Sequence, residues 1–204
     1  MKDTYKDFAE LSKFERAEKD YRIRTQATSS ELLVLAIHGG RIEQGTSEMA
    51  IAIAEKQNSY YLFEGMKSAQ NRKLHISSSH FDEPTLLSML KEAEYVLSIH
   101  GYKETKKKHT LIGGLDEERK KWVYKALRDA SFSAEIVGQD HLLSGTHKHN
   151  VVNKGKREKG VQLEISYQER DSFFLTKNQY TNSFYRYVAA VQLAFVERGC
   201  PKSQ

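Results

Sequence analysis

Two histidines and a glutamate stand at places in this sequence where a metal ion could bind. His38 follows the apolar run "ELLVLAI", His100 follows "EYVLSI", and a glycine comes directly after each histidine. Ligands collect where the carboxyl ends of parallel strands meet at one edge of a sheet, so the two imidazoles could face each other there. The glycines after His38 permit a tight turn that brings Glu43 back to the same edge. Such a set leaves a fourth position open for water, which is the catalytic arrangement of zinc.

A structural role for these histidines is the competing interpretation. The chain has eight histidines, so other ligand triplets remain open, and a single histidine at a strand end more often serves packing than metal binding. The repetition of one pattern at two strand ends favours the metal site. The patterns assign no role to His75 or to the pair His147 and His149.

A second carboxylate, Glu164, is a candidate general base. In the segment "GVQLEIS" apolar and polar residues alternate, which is typical of a strand with one buried face and Glu164 on the other. If that face looks into the crevice, Glu164 could take a proton from a metal-bound water. The alternative is a solvent-facing glutamate on an edge strand. Just upstream, Arg157 carries the planar fork that suits carboxylates, although a solvated basic loop explains the same residues.

The remaining pattern alternates strands with helices, which is typical of an α/β fold. Buried strands are predicted at 31–37, 60–63, 94–99 and 133–137, a weaker one at 74–78, and the alternating one at 160–166. Helices are predicted at 46–56, 82–93 and 116–130, and a last one buries Phe184, Val188, Val191 and Phe195. We therefore expect a mostly parallel or mixed central sheet with helices on both faces. Residues 1–204 are predicted to form one domain, with the first 25 or so as a peripheral helical extension.

Local signals mark the helix ends and one long loop. Thr46, Asp82 and Asp116 are the predicted N-caps, and Pro84 lies close to the start of the second helix. Residues 138–160 show no periodicity. Loops of that length in compact domains are usually functional or mobile, so mobility is expected here.

Composition restricts the class of protein. The chain has 204 residues, a formal net charge of +5 and 39% hydrophobic residues, as expected for one globular domain that prefers polyanionic partners. No segment approaches the roughly 18 apolar residues of a membrane helix, and the first residues lack the apolar core of a signal peptide. A soluble, monomeric, cytoplasmic protein with no membrane partner is expected, and it could be released on lysis.

Several short motifs, in this order, carry a resemblance to a known family. "IHGGRIEQGTSEMA", "SSHFDEP", "SIHGY", "IGGLD" and "NKGKREKGVQLEIS" cover roughly residues 30–170 and resemble the phage-associated poly-γ-glutamate hydrolase family. The resemblance implies a compact fold similar to zinc carboxypeptidases. It also implies one catalytic zinc per chain and cleavage of the γ-amide bonds of poly-γ-glutamate.

Carried over residue by residue, the resemblance implies roles for the site candidates. His38, Glu43 and His100 would hold zinc, Glu164 would be the catalytic carboxylate and Arg157 a contact of the substrate or oxyanion. His80 and Lys154 are weaker candidates for substrate contact. Seven lysines in nearby loops could attract the polyanion: Lys103, Lys106, Lys107, Lys108, Lys154, Lys156 and Lys159.

Three other functions remain open at this point. Another zinc amidohydrolase, acting on N-acyl amino acids or cell-wall peptides, would use the same metal set. A phage protein that binds nucleic acid is suggested by the pI of about 9.1, but no helix-turn-helix, RRM, OB or zinc-finger pattern is recognisable, which makes it unlikely. A prophage remnant that binds metal without catalysis would keep the same motifs.

Overall fold

The computed structural model of the protein describes residues 3–176 and 179–196. The strands are β1 (Tyr21–Gln26), β2 (Leu32–Gly40), β3 (Ser59–Gly65), β4 (Tyr95–Tyr102), β5 (Thr110–Gly113), β6 (Ala134–Ile136), β7 (Val161–Ser166), β8 (Phe174–Thr176) and β9 (Gln179–Tyr180). The α-helices are α1 (Phe8–Phe14), α2 (Thr46–Ala54), α3 (Pro84–Glu92), α4 (Glu117–Asp129), α5 (Tyr167–Asp171) and α6 (Asn182–Leu193). Two short 3-10 turns lie at Asn71–Leu74 and Val151–Asn153.

Seven of the strands form one mixed sheet in the order β1-β3-β2-β4-β7-β5-β6. The central strands β3, β2, β4 and β7 are parallel to one another, whereas β1 is antiparallel to β3 and β5 is antiparallel to β7. The carboxyl ends of β2, β4 and β7 therefore lie side by side, and these ends carry the candidate site residues. The predicted mixed α/β sheet is confirmed.

Helices cover both faces of the sheet because β2 is apolar on both sides. Val34 and Ala36 belong to a core with buried residues of α2, α4 and α6, and Leu33 and Leu35 to a second core with α1 and α3. A continuous apolar run is what a central parallel strand requires, since both of its faces are buried. Each large aliphatic side chain buried in this way contributes roughly 1.5–3 kcal/mol to stability.

One of the predicted strands does not form. Residues 74–78, the weaker strand prediction, form the end of a 3-10 turn and a loop. Leu74 and Ile76 are fully buried and His75 and Ser77 less so, which imitates the alternation of a strand.

The N-terminal segment contributes to the sheet. A peripheral helical extension was expected, but only Phe8–Phe14 is helical, and Tyr21–Gln26 adds the edge strand β1. The arginines of β1 bind a partner across the sheet: Arg22 Nε lies 2.6 Å from Glu64 Oε2. Charged side chains are common on edge strands, where they hinder pairing with other chains.

Two of the three predicted N-caps differ in detail. Asp116 caps α4, as predicted, by accepting a hydrogen bond from Arg119 N. Glu83 rather than Asp82 caps α3, while Asp82 accepts from Phe8 N at 2.6 Å and so anchors α1. Thr46 is the first residue of α2, because Gly45 occupies the cap position with φ 93°.

The last helix and the long loop complete the comparison. α6 buries Phe184, Val188 and Val191 as predicted, while Phe195 lies beyond its end and is partly buried.

In the long loop, Asn153 Nδ2 donates to the carbonyl groups of Gly145 and His147 at 2.8 and 3.1 Å. The mobility of this loop stays a prediction. Among the described residues, no helix has the length and apolar character needed to cross a membrane.

Candidate metal centre

His38 and His100 lie side by side at the carboxyl ends of β2 and β4. The two strands are paired in parallel, with Leu35 opposite Ser98, so their ends reach the same edge of the sheet. Both imidazoles are buried, each 2% exposed, and their Nδ1 atoms are 3.1 Å apart. The sequence prediction that the two rings face each other matches this geometry.

Glu43 reaches the same point through a tight turn after β2. Gly40 has φ 62°, and a Cβ there would lie 2.6 Å from Gly65 O, so this position requires glycine. Glu43 N then donates to His38 O at 2.8 Å, and Thr46 Oγ1 donates to Glu43 O at 2.8 Å. The turn and the start of α2 together fix the direction in which the carboxylate points.

The Glu43 carboxylate contacts both imidazoles. Its Oε1 lies 3.2 Å from His38 Nδ1, and its Oε2 lies 3.7 Å from His100 Nδ1. Oε2 also accepts a hydrogen bond from Gly101 N at 2.9 Å. Burial opposes ionisation, but His38 and His100 hold the pKa of Glu43 well below its ordinary value.

The outer nitrogens of both rings are already hydrogen-bonded. His38 Nε2 lies 2.8 Å from Ile76 O, and because a carbonyl only accepts, this Nε2 carries the proton. His100 Nε2 lies 2.8 Å from Ser98 Oγ, which can accept in the same way. In the tautomer with both ring protons on Nε2, the two Nδ1 atoms present lone pairs to each other and to the Glu43 carboxylate, which is the form that can bind a metal. These lone pairs and the carboxylate repel one another unless a cation lies between them.

Zinc fits this donor set. Zinc–nitrogen and zinc–oxygen bonds of about 2.0–2.2 Å in tetrahedral geometry place neighbouring ligands roughly 3.3 Å apart. The two Nδ1 atoms are 3.1 Å apart, Glu43 Oε1 lies 3.2 Å from that of His38, and Glu43 Oε2 lies 3.7 Å from that of His100. Two neutral imidazoles and one carboxylate are also a ligand set of catalytic zinc sites.

Glu164 lies beside His100 on the neighbouring strand. In the parallel pair of β4 and β7, His100 is directly opposite Glu164. β7 lies between β4 and β5, so Glu164 is buried, which excludes the alternative of a solvent-facing residue on an edge strand. Gln162 Nε2 donates to its Oε1 at 3.0 Å. Burial, together with the negative charge of Glu43, raises the pKa of Glu164 well above its ordinary value.

Arg170, which sequence reasoning missed, ties together the chain segments that carry these residues. Its Nε donates to Ile165 O at 3.1 Å, and its Nη1 donates to Gln44 O. Its guanidinium also covers Gly101, where a Cβ would lie 2.4 Å from Arg170 Cζ. The three residues that Arg170 contacts directly follow Glu164, Glu43 and His100 in the sequence. No spacing pattern announces this role, because Arg170 comes from the short helix α5.

His75 is a second group that the patterns did not assign. Its ring stacks on His38 with centroids 3.9 Å apart, and its Nδ1 lies 2.7 Å from Asp3 Oδ1. His38, Glu43 and His75 each offer one ligand atom within 4.8 Å of the others, so they form a rival triplet. Burial, with the charges of His38 and Arg72, lowers the pKa of His75 to about 3. We favour His100 as the ligand because its Nδ1 lies 3.1 Å from His38 Nδ1 and 3.7 Å from Glu43 Oε2.

A cleft of about 730 Å³ opens over these groups. It is lined by the four side chains His38, Glu43, His100 and Glu164, by His75, and by parts of the long loop. A buried set of convergent donors below a cleft of this size is the usual arrangement of a ligand site.

Comparison with known proteins identifies the family. The model of the family described as poly-gamma-glutamate hydrolase matches residues 5–190 of the chain. The chain belongs to this family. It is therefore an enzyme, a poly-γ-glutamate hydrolase, as the sequence motifs predicted.

Relatives and solved structures agree with this membership. UPF0714 protein YmaC of Bacillus subtilis (strain 168) is 40% identical over 197 residues, which are 93% of this chain and 83% of that protein. A structure of bacteriophage poly-gamma-glutamate hydrolase is similar with a TM-score of 0.91 and 33% identity, covering 95% of this chain and 96% of the other. A zinc-free apo structure of YndL has a TM-score of 0.89 and 40% identity, covering 93% and 95%.

In this poly-γ-glutamate hydrolase, Arg157 lies away from the candidate centre. Its Nη1 donates to Asp116 Oδ2 at 3.0 Å, and its guanidinium stacks on Tyr95 with Cζ 4.6 Å from the ring centroid. Tyr95 begins β4, and at about 3.3 Å per residue His100 is roughly 16 Å further along the strand. The prediction that Arg157 contacts the substrate or oxyanion is therefore corrected. Arg157 binds Asp116 and packs on Tyr95 at the opposite end of β4 from His100.

The weaker substrate candidates also lie outside the cleft. His80 is exposed and Lys154 is half-buried, and neither is among the described residues that line the cleft. Burial lowers the pKa of Lys154, and Asp82 is the nearby charge that opposes this shift. Of the seven lysines predicted to attract a polyanion, Lys103 alone is among the described residues that line the cleft.

Proposed function

We propose that the protein cleaves the γ-glutamyl amide bonds of poly-γ-glutamate with one zinc ion held by His38, Glu43 and His100. The observation that carries the proposal is the convergence of two Nδ1 atoms and one carboxylate at separations of 3.1–3.7 Å. Family membership supports the substrate, and the description of a YndL structure as zinc-free supports zinc as the metal. The more distant likeness to zinc carboxypeptidases stays a prediction, as do a monomeric state and a cytoplasmic location.

Zinc, when bound, polarises the amide carbonyl and lowers the pKa of water from about 15.7 towards about 7. Glu164 is placed to accept the proton that the attacking water loses. Its raised pKa makes it a stronger base than an ordinary carboxylate, which favours proton transfer from the attacking water. Gln162 holds Oε1, so Oε2 is the oxygen available for the proton. Glu164 can then deliver this proton to the leaving nitrogen.

Arg170 is a positioning residue in this proposal. It bonds the backbone next to Glu43 and Glu164 and covers Gly101, so it holds three chain segments at fixed separations. Its positive charge also faces both carboxylates and lowers the pKa of Glu164. Without it, two carboxylates would share a buried site with less compensation, which is unfavourable.

The competing functions lose support from the same observations. A zinc amidohydrolase for N-acyl amino acids or cell-wall peptides would keep the metal set, but the family match favours poly-γ-glutamate. A buried metal centre gives no support to a role in nucleic-acid binding. A non-catalytic remnant is not favoured, because the ligands, Glu164 and the cleft are all present. Metal analysis of the purified protein, combined with a size assay on poly-γ-glutamate, tests the proposal.

Removal of Arg170 is expected to weaken both the fold and the base. Arg170→Met removes a buried cation together with its two hydrogen bonds to backbone carbonyl groups, so the free energy of unfolding should fall by about 3 kcal/mol. Because the Arg170 charge lowers the pKa of Glu164, its loss raises that pKa. A base acts only when deprotonated, so the acidic limb of kcat/KM should move to higher pH. Denaturant unfolding and a pH–rate profile measure the two effects.

The control is Arg186→Met. Arg186 donates to Ala130 O at 2.6 Å but is exposed and remote from the centre. Its loss should change stability by less than about 1 kcal/mol and leave the pH profile unchanged. An unchanged acidic limb in Arg170→Met would contradict the positioning role.

A further inference from the structure

The cleft at the metal centre continues into a groove on one side. Glu43, Gly101, Arg72 and Lys103 line both the cleft and this groove, whose volume is about 310 Å³. Arg41 also lines the groove. We call Arg41, Arg72 and Lys103 the cationic arm, since all three are exposed along this path.

The cations of this arm lack acidic partners. Among the described residues, none of the three forms an ion pair, and Arg41 Nη1 donates only to the carbonyl of Lys67, at 2.9 Å. Some other cations do have an acidic partner, as Arg157 has in Asp116 at 3.0 Å. Positive charges without a local counter-charge remain available to an anionic ligand.

The other directions from the centre carry no such excess. The part of the cleft lining that is not shared with the groove includes Gln139, residues 142–147 and Asn150, none of which is Lys, Arg, Asp or Glu. Beyond Arg41, the next hollow has a balanced lining, in which Arg22, Arg41 and Arg170 face Glu48, Glu64 and Asp171. The excess of positive charge is therefore confined to a single stretch beside the metal ligands.

We propose that the cationic arm binds successive free α-carboxylates of poly-γ-glutamate on one side of the amide that is cleaved. The inference rests on the proposed function and adds a polarity to it. A polymer with one carboxylate per repeat can present several anions to Arg72, Lys103 and Arg41 in turn. The neutral side of the cleft then receives the other part of the chain with few ionic contacts. Exposed pairs of this kind weaken with salt, because the Debye length falls from about 10 Å at 0.1 M to about 3 Å at 1 M.

The test compares two double variants that change the net charge equally. Arg72→Ala with Lys103→Ala removes two cations of the arm. Lys73→Ala with Lys106→Ala removes two exposed cations that are close in sequence but line neither the cleft nor the groove. Initial rates are measured on long poly-γ-glutamate and on a γ-linked diglutamate amide, at low and at high salt, with thermal unfolding as a check of the fold.

For the arm variant, KM for the polymer should rise about tenfold at low salt with kcat changed less than about twofold. The rise should largely vanish at high salt and on the short substrate, and the control variant should stay within about twofold of wild type. An unchanged KM, an equal effect of the control variant, or an equal loss on both substrates would each overturn the cationic arm. If the wild type itself, with full zinc, cleaves neither substrate, the proposed function fails instead.

Discussion

Glu164→Gln is expected to reduce kcat on poly-γ-glutamate by about 10²- to 10⁴-fold while zinc content stays at the wild-type level. The substitution keeps the size and shape of the side chain but removes its ability to take a proton. Since Glu164 lies beside His100 without belonging to the ligand set, the metal donors stay in place. In metal-free protein the fold should be no weaker, because burial already penalises the charged form of this glutamate. Steady-state rates, metal analysis and thermal unfolding on the same preparation provide the three readouts.

A matched control comes from a second buried glutamate. Glu169 in α5 is 3% exposed, and its pKa is raised by burial, but it does not line the cleft. Glu169→Gln should keep activity within a few-fold of wild type. If Glu164→Gln hydrolyses the polymer at the wild-type rate, Glu164 is not the base. If both variants lose activity equally, the loss comes from packing and not from proton transfer.

The sequence contains enough information to predict that the proposed ligands lie together, because these residues sit at repeated strand ends. His38 and His100 each follow a buried apolar run, and parallel pairing places such ends together. Glu43 is predictable from the glycines before it, since Gly40 adopts a backbone conformation that other residues avoid. Glu164 follows from the alternation of β7, although its burial depends on β5 covering the other edge of that strand.

Arg170 and His75 were not predictable in the same way. Arg170 acts through hydrogen bonds to the backbone of Gln44 and Ile165, which depend on tertiary folding and not on residue spacing. His75 is held by Asp3, which is distant in sequence. The prediction for Arg157 came from its basic segment in the long loop, but in the structure Arg157 donates to Asp116, the N-cap of α4.

Two strands of the seven-stranded sheet were missed because they lack the apolar runs of the central strands. β1 places Arg22 and Arg24 on either side of Ile23, so its composition is typical of an exposed segment. β5 is only four residues long, Thr110–Gly113, and its burial comes from β6 and β7 on either side. Local patterns under-report strands whose stability depends on neighbours that are distant in sequence.

The second large effect concerns the metal ligands. His100→Ala removes one of three protein donors, so zinc affinity should fall by more than about 100-fold, and hydrolysis should fall below detection. His75→Ala should behave differently, because His75 stacks on His38 and supports it without donating to the metal. Loss of such a supporting group typically costs about 10- to 100-fold in affinity or activity. The pair of variants thus separates the set His38, Glu43, His100 from the rival set His38, Glu43, His75.

The most direct measurement is the zinc content of wild type, His100→Ala and His75→Ala after identical purification and dialysis against metal-free buffer. Mass spectrometry of the digested protein gives the number of zinc ions per chain. We predict about one ion in wild type, about one in His75→Ala and close to none in His100→Ala. Full zinc in His100→Ala together with an empty His75→Ala would contradict the proposed centre and assign the metal to the rival set.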